Sequence, residues 1–386
     1  ADPYGFATQK ILADLEGASG AKIVLDIQPY DAQHQKILLN SQSTESAYDI
    51  VAVDIVWEGE FGIGNVLTPL DDFIAKSDID LKDFPEAMLK GAQYEGKQLG
   101  MPIQPHPEIL WYRKDLFEAK GIKPPETTDE LLAAAAAFHD PDNGFYGIGW
   151  NGQRGQPLGQ QMAHFYAAFG QPPFDENMKP TLDTPNALRA AKYALELMKY
   201  SPPDILNMAW DERARLYAQG KTAMIYEWGA RAFMIQDPEM LANTGFIPSP
   251  HAPDMPPVTP MGEWTLSIPS NVKDKELAWG FLKWLTECNQ LKALALAGNG
   301  GMPRYCIMRD PELQKLYPAF AAVDKMASEG LLQMWMRPAI PEWPVLADTY
   351  GTVFHEMLAG SLTPEQAVKK MQETMLKVMT DAGYYD

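Results

Sequence analysis

Acidic residues stand beside tryptophan at four places in this 386-residue chain. They are the pairs Glu227-Trp228, Glu263-Trp264 and Glu342-Trp343, and Asp54 three residues before Trp57. Tryptophan offers a rigid apolar plate, and a carboxylate accepts hydrogen bonds from hydroxyl groups. Together they suit a sugar or polyol, whose C–H faces lie on rings and whose hydroxyls need polar partners. Any single tryptophan is more often a core residue, but four such associations in loops rich in proline and glycine favour a shared ligand site.

The sequence has no complete motif for binding a phosphate, a dinucleotide or a metal, or for a catalytic nucleophile. A phosphate-loop pattern at 91–97 has Gln98 where magnesium binding needs Ser or Thr, and it leads into a strand. The glycine-rich segment 298–304 follows a predicted helix, which excludes a dinucleotide fingerprint. The six histidines show no paired spacing, and neither Cys-x-x-Cys nor Gly-x-Ser-x-Gly occurs. We therefore expect no metal, cofactor or catalytic nucleophile, while a glycosidase-like pair of carboxylates stays an alternative.

Charge and composition limit the partners and the compartment. The chain has 32 Lys and Arg against 51 Asp and Glu, a net charge of −19, so nucleic acid is not an expected partner. Its length suffices for two domains, and no apolar run could span a bilayer. A signal peptide is absent from the chain, so an exported protein would be represented by its mature form. Cys288 and Cys306 either form one disulfide or remain buried thiols.

Hydrophobic periodicity predicts an α/β fold with a largely parallel sheet. Predicted helices at 7–16 and 30–40 alternate with predicted strands at 22–27 and 48–54. Further helix starts are predicted at Thr127, Thr184-Pro185 and Thr363-Pro364. The last helix carries an apolar stripe of Val368, Met371, Met375 and Val378.

Two segments are predicted to cross between discontinuous lobes. The first is Tyr94–Phe117, with a turn at Gly96-Lys97 and then Pro102, Pro105 and Pro107, which are not expected together in a central strand. The second, 262–268, has a similar character. A cleft between two lobes would bind a small ligand. The predicted lobes comprise residues 1–108 with 266–310, and 109–265 with 311–386.

Six segments, taken in order, resemble the extracellular solute-binding proteins of ABC importers, in the carbohydrate and polyol group related to maltose-binding protein. They are YDIVAVDIVWEGEFGIGNVLTPLDDFI at 48–74, YEGKQLGMP with WYRKDLF, YGIGWNGQRG with FGQPPFDENMKPTLDTP, GEWTLSIPSNVKDKELAWGFLKWLT, GNGGMPRYCIMRDPEL and RPAIPEWPVLADTYGTVFHEMLAG. The resemblance covers nearly the whole chain. It departs at Gly262-Glu263-Trp264, where the family usually has Gly-Gly-Trp. It also departs at the start, because the family's first strand lies upstream of residue 1 or is truncated here.

The resemblance implies a two-lobed, type II periplasmic-binding-protein fold, each lobe a mostly parallel sheet flanked by helices. It implies an exported periplasmic monomer that closes on one sugar, sugar alcohol or small glycoside by hinge motion, without chemistry. Its other partners would be the permease subunits of an ABC transporter. The segment Asp2–Phe6 is expected to border the cleft. The ligand-binding residues implied are Tyr4, Asp54, Trp57, Gln104, His106, Trp150, Asn151, Gln153, Arg154, Glu227, Trp228, Arg231, Glu263, Trp264, Arg304, Arg337, Glu342 and Trp343.

Two other functions fit parts of this pattern. A carbohydrate-active hydrolase would use two of the cleft carboxylates. A binding protein for a sulfonated or phosphorylated sugar would use Arg154, Arg231, Arg304 and Arg337, although Arg337 could instead pair with Glu342, and Arg304 could cap a helix.

Overall fold

The structure, a computed structural model, describes residues 4–385. The helices are α1 (Tyr4–Lys10), α2 (Leu12–Ser19), α3 (Tyr30–Ser41), α4 (Glu58–Ile63), α5 (Asp71–Ala75), α6 (Glu86–Gly91), α7 (Lys114–Lys120), α8 (Thr128–Phe138), α9 (Gln156–Ala168), α10 (Pro185–Met198), α11 (Trp210–Ala218), α12 (Pro238–Ala242), α13 (Lys275–Leu285), α14 (Cys288–Leu296), α15 (Tyr305–Met308), α16 (Pro311–Leu316), α17 (Ala319–Ser328), α18 (Trp343–Leu358) and α19 (Pro364–Asp381). The strands are β1 (Val51–Asp54), β2 (Gln93–Tyr94), β3 (Lys97–Gln98), β4 (Gly100–Arg113), β5 (Tyr146–Gly149), β6 (Thr222–Trp228), β7 (Thr244–Pro248), β8 (Thr259–Ser267) and β9 (Leu332–Gln333).

The chain divides into two compact units. The first contains residues up to His106, 261–330 and 338–341; the second contains 107–260, 331–337 and 342 onward. This division differs from the predicted boundaries chiefly at 311–330, which were expected in the second lobe. These residues belong to the first unit because the Tyr317 hydroxyl donates to Ala295 O at 2.8 Å, and Arg309 pairs with Asp324 at 2.9 Å.

In the first unit, β1 forms an antiparallel ladder with β8, in which Val51 lies opposite Ser267 and Asp54 opposite Trp264. The strand predicted at 22–27 is not formed, since residues 22–29 have no regular secondary structure. Val24 is 83% exposed despite its apolar side chain. This segment, β1 and α13 line a cavity of about 710 Å³. The extended stretch therefore lies apart from β1, and the predicted pattern of alternating strand and helix fails at this point.

The crossing segment β4 is one strand of 14 residues, so the expectation that its prolines interrupt a strand is wrong. Its ladder with β6 starts at Glu108 and its ladder with β7 at Ile109. Both starting points lie beyond Pro107, the last of the three prolines. Because a proline disrupts a sheet only where its missing N–H is needed, these prolines are compatible with the two ladders.

A hairpin precedes β4, as the sequence predicts, but its turn lies one residue earlier. Glu95 and Gly96 occupy the turn with φ angles of 48° and 77°, and Tyr94 pairs with Lys97. Two successive positive φ angles are typical of a type I′ turn, whose twist matches that of the flanking strands. Glycine at the second position makes this conformation inexpensive.

In the second unit the sheet is mixed rather than mostly parallel. β4 pairs antiparallel with β6 and β7, whereas β5 pairs parallel with β6. The first two residues of β8 also pair parallel with β9. Buried helix α9 lies in this unit, and every residue from Pro157 to Ala168 is buried. Its polar side chains must therefore find partners inside the protein or in a ligand.

The predicted helix starts at Thr127, Thr184 and Thr363 are confirmed. Each threonine side chain accepts a hydrogen bond from the backbone N–H three residues later, and Thr127 and Thr363 form complete capping boxes. The buried stripe of α19 ends on Met379 rather than on the predicted Val378. The shift follows from the helical repeat, because Met375 and Met379 are four residues apart.

Cys288 and Cys306 form a disulfide, which resolves the two alternatives that the sequence left open. The bond links the start of α14 to α15 within the first unit, across a sequence separation of 18 residues. Asp83 lies against this link, since its Oδ1 accepts from the Cys306 N–H at 3.1 Å. A disulfide is consistent with an oxidising compartment.

Replacing both cysteines with serine should lower the free energy of unfolding by about 3 kcal/mol, the value expected for closing a loop of this length. Denaturant titration of the two proteins measures the difference. Dithiothreitol should shift the midpoint of the wild type toward that of the variant and leave the variant unchanged. A variant as stable as the wild type would contradict a stabilising role for the bond.

Candidate functional site

Two fully buried acids, Glu58 and Glu263, lie together in the first unit. Glu58 is 0% and Glu263 1% exposed. Side chains alternate along a strand, so Glu263 and Thr265 share one face of β8. The Thr265 hydroxyl lies 3.3 Å from Glu58 Oε1, where it donates a hydrogen bond. The other three carboxyl oxygens, Glu58 Oε2 and both of Glu263, are buried and have no hydrogen-bond partner among residues 4–385.

Burial sets the protonation of this acid pair. Desolvation raises the pKa of Glu58 to about 8; the Thr265 hydrogen bond opposes the shift and the nearby charge of Asp54 adds to it. Burial likewise raises the pKa of Glu263 well above its usual value, and Glu58 contributes to this shift. Near neutral pH both carboxyls therefore favour the protonated form when no counter-charge is present.

An aromatic cluster adjoins β8 on its other face. Trp264 meets Trp57 edge-on at 5.4 Å and Tyr30 edge-on at 5.9 Å. Trp57 is almost fully buried, whereas Tyr30 is 41% exposed, so the cluster has one side open to solvent. Asp54 Oδ2 accepts a hydrogen bond from the Tyr30 hydroxyl at 3.1 Å. The predicted combination of acid and ring is thus present at Asp54, Trp57 and Trp264.

Tyr4, the first residue of α1, is linked by hydrogen bonds to two further predicted residues of the first unit, Gln104 and His106. The Tyr4 N–H donates to Gln104 Oε1 at 3.2 Å, and Gln104 Nε2 lies 2.8 Å from His106 Nε2. Gln104 and His106 are buried on β4. These three predicted residues are therefore neighbours. Residues 1–3 of the predicted Asp2–Phe6 segment lie outside the described residues, and the remainder is helical.

The second unit contains a buried ion triad around Arg213 of α11. Its guanidinium donates to Glu108 Oε1 at 2.6 Å and to both oxygens of Glu227 at 3.0 Å, and all three side chains are 0% exposed. Burial disfavours ionisation of Glu108, but Arg213 and His164 beside it hold its pKa at about 2. Glu227, predicted to contact a ligand, thus has its charge compensated by the protein.

Trp228, the next predicted residue, lies between two cations. Its ring is 5.4 Å from the Arg213 guanidinium and 5.3 Å from that of Arg231, within cation–π range, and it stacks on Trp210. Arg231 also donates to Asp211 at 2.7 Å. Trp228 and Arg231 are therefore fixed by neighbours in the same unit.

A second set of buried polar groups lies along α9. The side-chain amide of Asn151 is fully buried, and neither its oxygen nor its nitrogen has a hydrogen-bond partner in the part of the chain that the structure describes. The Asn151 N–H donates to Gln161 Oε1 at 3.2 Å, while Gln161 Nε2 has no partner. His164 lies 3.6 Å from Glu108, and burial lowers the pKa of its ring, while Glu108 opposes the shift. Unpaired buried amides are costly unless water or a ligand satisfies them.

The remaining predicted residues are distributed differently. Trp150 is fully buried, and its indole N–H donates to Ser201 Oγ at 2.8 Å, while Gln153 and Arg154 are exposed.

Trp343 is buried at the start of α18 against Tyr350, and Glu342 accepts from the Tyr384 hydroxyl at 3.1 Å. Arg337 is half-buried after β9. Arg304 pairs with Asp83 at 2.7 Å and donates to Thr286 O at 3.0 Å, close to the disulfide.

Comparison with known proteins identifies the family. Residues 2–287 match the bacterial extracellular solute-binding protein family. The chain belongs to that family. A mannitol-binding protein of Pseudomonas aeruginosa is 25% identical over 374 residues, covering 91% of this chain and 84% of that protein. This solute-binding protein is thus a transport protein rather than an enzyme, and it serves an ABC transporter.

Solved structures of related solute-binding proteins share the two-lobed fold. One from Agrobacterium radiobacter K84, in complex with ribitol, has a TM-score of 0.89 and 28% identity, with 98% of this chain and 96% of that chain covered. Another from Agrobacterium vitis S4, with bound D-mannitol, has a TM-score of 0.84 and 26% identity, with 100% and 98% covered. None of the helices within residues 4–385 is long and apolar enough to cross a membrane.

Sequence reasoning named Glu227 of the triad but missed Glu58 and Arg213. Both carried the signal that it used elsewhere, because Glu58 follows Trp57 directly and Arg213 lies in the segment Trp210-Asp211-Glu212-Arg213. The hydrophobic periodicity of the sequence does not indicate that either residue is in a site. Both lie in the first turn of a helix, where a charged side chain is normally exposed to solvent. Only tertiary packing shows that these side chains are buried.

Arg213→Met should lower the free energy of unfolding by about 3–5 kcal/mol, because it leaves Glu108 and Glu227 buried without a cation. Arg215→Met on the same helix is the matched control. The Arg215 side chain is 56% exposed and pairs with Glu212 at the surface, so its loss should lower the free energy of unfolding by at most about 1 kcal/mol. Urea titration measures both. Equal losses in the two variants would show that the triad is not a structural centre.

Glu58 should make the unliganded protein less stable as the pH rises. The unfolded carboxyl ionises near its ordinary pKa of 4.5, whereas the folded one ionises at about 8. The stabilisation is complete below pH 4.5 and is lost as the pH approaches 8, at roughly 1.4 kcal/mol per pH unit. Glu58→Gln should therefore gain stability relative to the wild type between pH 5 and 8.

Chemical denaturation at pH 5, 6, 7 and 8 measures that difference. The control is Glu373→Gln, a residue 67% exposed on α19, which should give a difference independent of pH. A Glu58→Gln difference that stays flat across this range would mean that Glu58 is not buried as a neutral acid.

Proposed function

We propose that this solute-binding protein captures a sugar alcohol in the periplasm and delivers it to its permease. The observation that carries the proposal is a set of buried polar atoms that have no hydrogen-bond partner among the described residues. The Asn151 amide in the second unit and the Glu58–Glu263 pair in the first are such groups. A polyol hydroxyl both donates and accepts, so it satisfies amide and neutral carboxyl groups alike. Relatives that bind ribitol and D-mannitol support this class of solute.

The aromatic groups complete the match to a polyol. The half-buried Trp264 and the exposed Tyr30 offer apolar surface for C–H groups beside the Asp54 carboxylate. Micromolar affinity corresponds to about −8 kcal/mol. A few hydrogen bonds to charged groups, each contributing about 1.5–3 kcal/mol, and one stacked ring account for that value.

In this proposal the protein acts as a monomer and captures its solute by hinge closure. A solute that binds the closed form more tightly than the open form shifts the population toward closure. The permease would then recognise the closed form. Small-angle scattering with and without solute tests this part, because superimposable curves would exclude closure.

An anionic sugar is less well supported as the solute. Arg231 pairs with Asp211, and Arg304 pairs with Asp83, so two of the four arginines available for an anion are already neutralised. Their partners would have to be displaced before either could bind a phosphate or sulfonate. The uncompensated groups in the site are acids and amides instead.

Ribitol, D-mannitol or another pentitol or hexitol should raise the melting temperature of the wild type. A solute at 100 times its Kd stabilises by about 2.7 kcal/mol. Asn151→Ala should weaken the binding of the best solute at least about tenfold, because the amide loses its hydrogen bonds to hydroxyls. Isothermal calorimetry measures that affinity.

The control is Asn177→Ala, which changes an exposed asparagine in a turn of the same unit and should retain wild-type affinity. Stabilisation by sugar phosphates but by none of the neutral alditols would overturn the proposal. An unchanged affinity in Asn151→Ala would remove the amide from the site.

A further inference from the structure

Helix α9 carries two polar side chains, each with a nitrogen that the protein leaves unpaired. Gln161 is 0% and His164 3% exposed. They are three residues apart, so they are neighbours on one face of the helix. Gln161 Nε2 and His164 Nε2 are both buried and have no hydrogen-bond partner within residues 4–385. Buried nitrogens of this kind indicate a partner that the protein receives from outside.

Two donors fix the orientation of the Gln161 amide. Its Oε1 accepts from the Asn151 N–H at 3.2 Å and from Arg213 Nη1 at 3.3 Å. Neither of these groups can accept a hydrogen bond, so the amide oxygen must occupy this position. A flipped amide would place its NH₂ group against the guanidinium. Gln161 therefore directs its NH₂ group away from the triad, where it acts as a donor.

The ion pair beside His164 fixes the tautomer of its ring. His164 Nδ1 lies 3.6 Å from Glu108 Oε2, and Arg213 keeps Glu108 ionised. A carboxylate only accepts, so the ring proton belongs on Nδ1. Burial lowers the pKa of the ring against the opposing effect of Glu108, so the neutral form predominates at pH 7. Nε2 then carries a lone pair and acts as an acceptor.

We propose that Gln161 and His164 together bind one hydroxyl group of the solute, with Gln161 Nε2 as the donor and His164 Nε2 as the acceptor. This inference rests on the proposed capture of a sugar alcohol and adds two binding residues to it. A hydroxyl donates and accepts at the same atom, so it satisfies both nitrogens. A carboxylate or sulfonate would leave His164 unsatisfied, because it has no proton to donate. An ammonium group would leave Gln161 unsatisfied, because it cannot accept.

The Asn151 amide supplies a second donor and a second acceptor next to this pair. Its backbone N–H is bonded to Gln161, and its side-chain Nδ2 and Oδ1 have no partner in the described part of the chain. The two sets match two hydroxyls on neighbouring carbons, since each hydroxyl needs one donor and one acceptor. The motif recognised in the second unit is therefore a vicinal diol, which every alditol contains.

Nitrogen-15 NMR of the histidine side chains tests both the tautomer and the contact. The variant His164→Gln assigns the signal among the six histidines. In the solute-free protein at pH 7, His164 should be neutral with its proton on Nδ1. Saturation with D-mannitol or ribitol should shift the Nε2 signal in the direction of hydrogen-bond acceptance. A proton on Nε2, or an Nε2 signal that does not move when an alditol is bound, would overturn the assignment.

Two variants remove one nitrogen each and keep the contact that orients it. Gln161→Glu retains an oxygen for Asn151 and Arg213 but loses the donor. His164→Asn retains a donor toward Glu108 but loses the acceptor. Each should weaken the binding of D-mannitol or ribitol by about tenfold, because a buried hydroxyl loses a hydrogen bond. The matched control is Gln219→Glu, an exposed glutamine of the same unit, which should keep wild-type affinity.

Isothermal calorimetry measures these affinities. Wild-type affinity in either variant would show that the two residues do not bind a hydroxyl as a pair. If a variant fails to fold, the Nε2 signal of the wild type decides, since a purely structural role would not make that signal respond to the solute. An alditol that binds without affecting this signal contradicts the present inference alone. If no alditol binds the wild type, the proposed function itself fails.

Discussion

A carboxyl group removed from water must keep its proton, meet a cation, or receive hydrogen bonds from something else. This constraint explains most of the polar architecture of the protein. In the second unit Glu108 and Glu227 meet it through Arg213, and the triad fixes β4, β6 and α11 relative to one another. The resulting geometry is rigid because every charge has its partner in place. Such a network serves structure.

Glu58 and Glu263 meet the same constraint by keeping their protons, which leaves hydrogen-bonding capacity unused. The energetic consequence is a first unit that is less stable near neutral pH than its packing would allow. Proteins accept such costs at sites where binding relieves them. The same logic applies to the Asn151 amide, which is buried beside the satisfied triad but has no partner of its own.

The resemblance of six segments predicted the family and the two-lobed α/β class, and local chemistry predicted the helix caps. Thr127 and Thr363 cap helices through contacts only three residues away. Prediction from the sequence failed where the outcome depends on distant partners. Residues 22–27 are mostly apolar, as in a strand, but lie apart from β1, and β4 remains one strand although its three prolines precede its ladders with β6 and β7. Trp150 and Trp343, predicted from the sequence as ligand-binding residues, are both buried in the structure.

At Glu263 this chain differs from the pattern of the family that it resembles. The family usually has glycine where this chain has Glu263. Glycine has no side chain, so it leaves space beside the following tryptophan and adds no charge there. A glutamate there fills space next to Glu58 and adds a second acid that the protein cannot compensate. Trp264, on the opposite face of β8, retains its contacts with Trp57 and Tyr30, so the change leaves the aromatic cluster intact.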